Sequence, residues 1–96
     1  MTAYIVFTKE EEFDAGELAT YQSLTPKARE GHDVSALAKY GAFTMLEGDP
    51  IEGAVILRFP GMAEAKAWYD SPAYQEAAAH RWKGARYRAF IIDGLD

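Results

Sequence analysis

The chain has no cysteine among its 96 residues, which excludes disulfides, a thiolate nucleophile, iron–sulfur clusters and cysteine-ligated zinc. Histidine is scarce too: His32 and His80 are the only two, at no recognisable ligand spacing, so no metal is expected. The longest late apolar run, Ala54-Val55-Ile56-Leu57, is far too short to span a bilayer. The early one stops at Lys9-Glu10-Glu11-Glu12 before a signal-peptide core is complete. These absences predict a cytoplasmic protein that makes no membrane contact. No GxGxxG or P-loop spacing occurs, so no nucleotide and no other cofactor is expected. Positive charge is in deficit, 10 basic against 15 acidic residues for a net −5, which disfavours nucleic acid.

What is present is a globular composition, 49% hydrophobic, 14% aromatic and 26% charged. The length predicts a single domain over residues 1–96 and leaves no room for a separate cofactor module. A chain this short buries roughly 60–65% of its unfolded surface, so a partner subunit would add needed core.

Three segments combine β-branched and aromatic residues at strand length: Ala3 to Thr8, Ala54 to Phe59 and Ala85 to Asp93. A fourth, Leu37 to Glu47, is interrupted by Gly41, which suggests a bulge or bend. Gly48-Asp49-Pro50 supplies turn chemistry between the second and third strands. A helix begins near Asp14, a good N-cap, with the stripe Leu18, Tyr21, Leu24 and Ala28, and Pro26 is expected to kink or divide it. After the third strand, Ala65, Trp68 and Tyr69 share a helical stripe, and Ser71-Pro72 reads as a cap followed by proline at the first position of a new helix. That helix carries Tyr74, Ala77, Ala78 and Arg81, with Gly84 expected just past its end. The order is βαββαβ with the second helical element broken at Ser71-Pro72, the ferredoxin-like α+β plan on a four-stranded antiparallel sheet.

Strand parity separates two faces. Val55, Leu57, Phe59, Tyr87, Ala89 and Ile91 form an arginine-free set for the helices to cover. The other face carries Arg58, Arg86 and Arg88 among Ile56, Phe90 and Ile92, too apolar to leave in water, and predicts a homodimer with two sheets face to face.

Ala3-Tyr4, Leu46-Glu47-Gly48, Phe59-Pro60, Glu64-Ala65, Ser71-Pro72, Arg81, Asp93-Gly94 and above all Ala67-Trp68-Tyr69-Asp70-Ser71-Pro72-Ala73-Tyr74-Gln75 resemble the bacterial domain of unknown function 1330 family over essentially the whole chain. The resemblance implies a dimeric α+β barrel and no established activity. Two stretches depart from the family pattern: Lys39-Tyr40-Gly41-Ala42 stands where many members have Arg-Gly-Gly, and Gly31-His32 where many have paired glycines. Relatives in the wider superfamily include cofactor-free monooxygenases and lactone isomerases, so an enzyme of that kind is an alternative by fold analogy only.

Candidate chemistry is confined to a few side chains. Arg58 and Arg88 on one sheet face offer guanidinium forks to a small anion; the plainer reading pairs the sheet arginines with Glu47 or Asp93. Arg81 sits on an apolar helix stripe and must be paired, either structurally by a carboxylate or helix-end carbonyls, or by the acid group of a ligand. His80 with Glu76 one turn before it reads as a solvent-facing pair. Trp68, Tyr69 and Tyr74 flank the helix break, and Tyr4, Tyr21 and Tyr40 lie within reach of the sheet; phenols, an arginine and apolar walls together would suit an aromatic acid. The expected ligand site is therefore Tyr4, Arg58, Trp68, Tyr69, Tyr74, Arg81 and Arg88, placed against Tyr4, Arg58 and Trp68 at one end of the sheet. The resulting function is a small homodimeric barrel binding an apolar or anionic molecule, with a non-catalytic dimerisation module as the alternative; no pattern assigns a reaction.

Overall fold

The computed structural model describes residues 1–96. Its elements are β1 (Ala3–Glu12), α1 (Ala15–Ala28), β2 (Ser35–Lys39), β3 (Gly53–Phe59), α2 (Met62–Asp70), α3 (Pro72–Gly84) and β4 (Ala85–Asp93). The four strands form one antiparallel sheet in the order β2-β3-β1-β4. All three helices lie on one face, giving a ferredoxin-like α+β fold only 17 Å thick. No helix is long and apolar enough to cross a membrane.

The alternation read from the strands decides which side chains are covered. Ile5, Phe7, Val55, Leu57 and Phe59 are buried against Tyr21, Ala65, Trp68, Tyr74, Ala77 and Ala78 of the helices. Their neighbours in the strands point the other way, and registers Tyr4↔Arg58, Tyr4↔Ile92, Val6↔Ile56 and Val6↔Phe90 line them up as rows across the bare face.

Local chemistry places the helices. Asp14 caps α1, its Oδ1 accepting from the amides of Gly16 at 2.9 Å and Glu17 at 3.3 Å. Ser71 serves two helices at once: its Oγ donates to the Trp68 carbonyl at 2.7 Å, closing α2, and accepts from the Tyr74 amide at 3.3 Å, opening α3.

Five local expectations are corrected. β1 runs past Thr8 to Glu12, so the acidic stretch extends the strand; it pairs with Ala85–Tyr87, where Arg86 reaches Glu10 and Glu11. Pro26 lies inside α1 without dividing it, because it falls in the last turn and the Gln22 carbonyl it leaves free accepts from Thr25 Oγ1 at 3.0 Å. β2 stops at Lys39: Tyr40 takes φ +53°, the only non-glycine residue at positive φ, and Phe43, Met45 and Leu46 beyond it are exposed, with no strand beside them to complete a ladder. The irregularity in that strand falls between Ala36 and Ala38 and not at Gly41. Gly84 belongs to α3 itself, and what it supplies is close approach: a Cβ there would sit 2.7 Å from Leu18 Cδ2, while its carbonyl accepts from the amides of Phe13 and Asp14.

Candidate functional site

The expected site residues divide between the two sides of the sheet. Tyr4, Arg58 and Arg88 are on the bare face, Tyr4 directly opposite Arg58. Trp68, Tyr74 and Arg81 are buried on the helical side, where the Trp68 and Tyr74 ring centroids are 4.1 Å apart with the planes tilted by 38°, and Tyr69 lies 5.4 Å from Tyr74. The sheet separates Tyr4 and Arg58 from Trp68, and no cavity joins them. Tyr4 lines a shallow concavity with Ile92 and residues 93–96, whose side chains include Asp93 and Asp96. Two carboxylates at its edge make it a poor receptor for an anion. Tyr69 borders a second groove with Ile5, Lys66 and Phe90.

The arginines of the bare face find partners other than the expected ones. Arg58 lies 3.8 Å from Asp96, and Arg86 contacts Glu11 at 3.1 Å and Glu10 at 3.4 Å, in place of Glu47 or Asp93. These residues meet because β1 and β4 run side by side and the C-terminus folds back along β1, with the Gly94 amide donating to the Thr2 carbonyl. His80 likewise turns to Glu17 on α1, Nδ1 to Oε2 at 2.6 Å, and not to Glu76 on its own helix.

Arg81 is different. It is 3% exposed, no carboxylate pairs with it, and its Nε has no hydrogen-bond partner. The stranded carboxylate that the helix stripe predicts is absent because the side chain projects among rings instead: its guanidinium carbon is 5.1 Å from the Tyr87 centroid, 5.2 Å from Phe7 and 5.9 Å from Tyr21. Burial works against its charge, but the Tyr74 and Tyr21 oxygens beside it, with a hydrogen bond to Tyr74, favour the cation, and its pKa lies above the usual arginine value, so it is charged at any pH at which these phenols are neutral. The cation is kept, and nothing of opposite charge answers it.

The guanidinium borders a cavity of about 30 Å³ between α1 and the sheet, room for one or two waters or the head of a carboxylate. Its lining includes three cations, Arg29, Lys39 and Arg81, and no acidic residue, in a protein of net charge −5. The rest of the wall is apolar (Phe7, Val55, Leu57), phenolic (Tyr21, Tyr40, Tyr87) or neutral polar (Gln22, Thr25). Two hydroxyl pairs flank it, Tyr21 with Tyr74 at 3.0 Å and Tyr40 with Tyr87 at 2.6 Å. In each pair one hydroxyl donates to the other, which leaves a second O–H free to donate. Burial pushes up the phenol of Tyr21, helped by the adjacent Tyr74. It does the same for Tyr87, helped by the bond to Tyr40, and for Tyr74 against the opposing pull of Arg81. All three stay protonated at neutral pH, so the cavity presents donors.

Residue types single out Arg81 and Tyr74 and put Tyr21 and Tyr40 within reach of the sheet, but place the pocket at Tyr4, Arg58 and Trp68 and give no sign of Tyr87, Arg29 or Lys39 as its lining. Tyr87 was legible as a ring on the helix-facing set of β4; Arg29 and Lys39, one past the end of α1 and one at the end of β2, carry no periodic signal.

A two-layer βαββαβ sheet with one bare face and a donor-lined cavity under its helices belongs to the ferredoxin-like α+β class. Within that class, the chain belongs to the DUF1330 family, a domain of unknown function, whose sequence profile matches residues 2–95. No curated protein matches the sequence. Among solved structures it is similar to the RPA0582 protein of unknown function from Rhodopseudomonas palustris (TM-score 0.79, 17% identity, 99% of this chain and 83% of that one). It is also similar to a dimeric ferredoxin-like protein of unknown function from Thermobifida fusca (TM-score 0.66, 14% identity, 98% and 92%). A third similar structure is SnoaB, a cofactor-independent oxygenase from Streptomyces nogalater (TM-score 0.61, 7% identity, 99% and 94%). At these identities the likeness is one of fold.

Proposed function

We propose that this protein is a cytoplasmic homodimer of one domain per chain that binds a small, partly apolar carboxylate in the cavity at Arg81. The observation that carries the reading is the guanidinium itself, buried, charged and without a carboxylate, beside a space lined by two further cations. Leaving such a charge unanswered costs several kcal/mol, and an anion entering the cavity removes that cost. Self-association draws support from the apolar rows on the bare sheet face, where Phe90 and Ile92 are exposed, and from the dimeric state of the Thermobifida fusca structure. With the Tyr21, Tyr74 and Tyr87 phenols protonated and His80 engaged outside the cavity with Glu17, the donors suit holding an anion better than abstracting a proton.

The test is thermal unfolding in sodium acetate, in acetamide and in sodium chloride at matched ionic strength. Acetate should raise Tm by mass action, whereas its uncharged isostere should not. Arg81→Met should abolish that rise and leave the melting of the anion-free protein unchanged or higher, because it removes an uncompensated buried charge. A wild type indifferent to acetate, with Arg81→Met strongly destabilised, would make Arg81 a packing residue and the protein a dimerisation module.

A further inference from the structure

The cavity is smaller than most organic acids, and its walls are unequal. Phe7, Tyr21 and Tyr87 are fixed on β1, α1 and β4, but Tyr40, the remaining aromatic of the lining, belongs to no helix or strand. Its backbone turns at φ +53°, an uncommon conformation for a tyrosine, and only one main-chain bond, its amide to the Ala54 carbonyl at 2.8 Å, anchors it to β3. The Cδ1–Cε1 edge of the ring packs against Gly53, where even a methyl group would come within 2.8 Å of Cδ1. Its hydroxyl reaches Tyr87 at 2.6 Å. Beyond Tyr40 the chain runs on as the exposed, irregular stretch of residues 41–46. The ring therefore closes one side of the cavity, held by a glycine seat and one hydroxyl contact, and it can leave without unpacking any element of the core.

We propose that Tyr40 is the residue that sets the size of acid the site accepts. In the closed position it confines the cavity to a carboxylate bearing a substituent no larger than a methyl group. An aryl carboxylate fits only when the Tyr40–Tyr87 hydroxyl pair separates and the ring lifts off Gly53. Arg81 reads the charge and Tyr40 reads the bulk. This assignment rests on the proposed anion site, and the two are separable by experiment.

The measurement is the affinity of acetate and of benzoate for the full chain, by calorimetry or chemical-shift titration, in wild type, Tyr40→Phe, Tyr40→Ala and Arg81→Met. Wild type should bind acetate at least tenfold more tightly than benzoate. Tyr40→Ala should raise the ratio of benzoate to acetate affinity at least tenfold, while Tyr40→Phe, which keeps the ring and loses the hydroxyl contact, should raise it by about threefold, and its near-isosteric change keeps the comparison valid if the alanine variant unfolds. If acetate binds in an Arg81-dependent way but the preference over benzoate is missing or unmoved by both Tyr40 variants, Tyr40 has no role in selection and the anion site stands. If neither anion binds wild type, or both bind Arg81→Met equally well, the site itself falls, and Tyr40 with it.

Discussion

On the covered face of the sheet, Ile5, Phe7, Leu57 and Phe59 are each at most 4% exposed, whereas on the opposite face Phe90 and Ile92 are each 52% exposed. The first four stand on the central strands β1 and β3 and the last two on the edge strand β4; what lies against each side of the sheet, and the position of the strand within it, separates them. The treatment of charge is reversed as well. On the bare face Arg58 and Arg86 have carboxylates at hand and water around them, so their charges are answered from within the chain. On the covered face a single guanidinium sits among rings with no carboxylate. On the reading proposed above, the apolar exposure is the surface for a second copy of the protein and the unanswered charge the place for an anion.

The largest effect that sharpens this contrast is alkaline. Tyr21, Tyr74 and Tyr87 on the covered side all have raised pKa values from burial. Above pH 10, the ordinary tyrosine value, the unfolded chain releases these protons while the native protein keeps them. Stability, fully present below pH 10, should therefore fall as pH rises through that point, by on the order of 1.4 kcal/mol per pH unit for each phenol. Denaturant titrations at pH 9 to 11 with phenolate absorbance as a second signal check this; free ionisation of all six tyrosines in the folded protein would contradict the burial. A smaller effect comes from the bare face. Phe90→Asp should weaken self-association by roughly 2 kcal/mol, about thirtyfold, as read by sedimentation equilibrium, and unchanged association would remove this face from the contact. The smallest concerns Arg58→Ala, which removes a half-exposed pair with Asp96. It should alter stability by less than about 0.5 kcal/mol and leave acetate affinity unchanged, since the sheet stands between Arg58 and the cavity. A clear loss of acetate binding would move the site to the other face.

The legible part of the fold was the part set by period and by caps. Strand alternation separated Val55, Leu57 and Phe59 from Ile56 and Arg58, and Asp14 and Ser71-Pro72 marked helix starts that the structure keeps. The end of β2 was not legible, because Phe43, Met45 and Leu46 have strand-like composition and whether they pair depends on a neighbour the sequence does not supply. Pro26 and Gly84 misled for a related reason: each was read for its backbone habit, when position in the last turn decided the first and contact with Leu18 the second. In the site, helix spacing exposed Arg81 as an anomaly but not its surroundings. The rings around it come from β1, α1 and β4, and Arg29 and Lys39 join only because α1 ends where β2 ends.

One consequence of the shared Ser71 concerns length. Between most helices a few loop residues give the chain slack, and an inserted residue can bulge outward at little cost. Here α2 and α3 have none: the amide and hydroxyl of Ser71 close one helix, while its hydroxyl and carbonyl open the next. An extra residue at the junction must uncap one helix or the other. Placed further along, inside α3, it would turn everything beyond it by about 100° and carry Arg81 from its ring of phenols towards the surface. The count of residues from Ser71 to Arg81 is in that sense a spacer of fixed length that aims a charge.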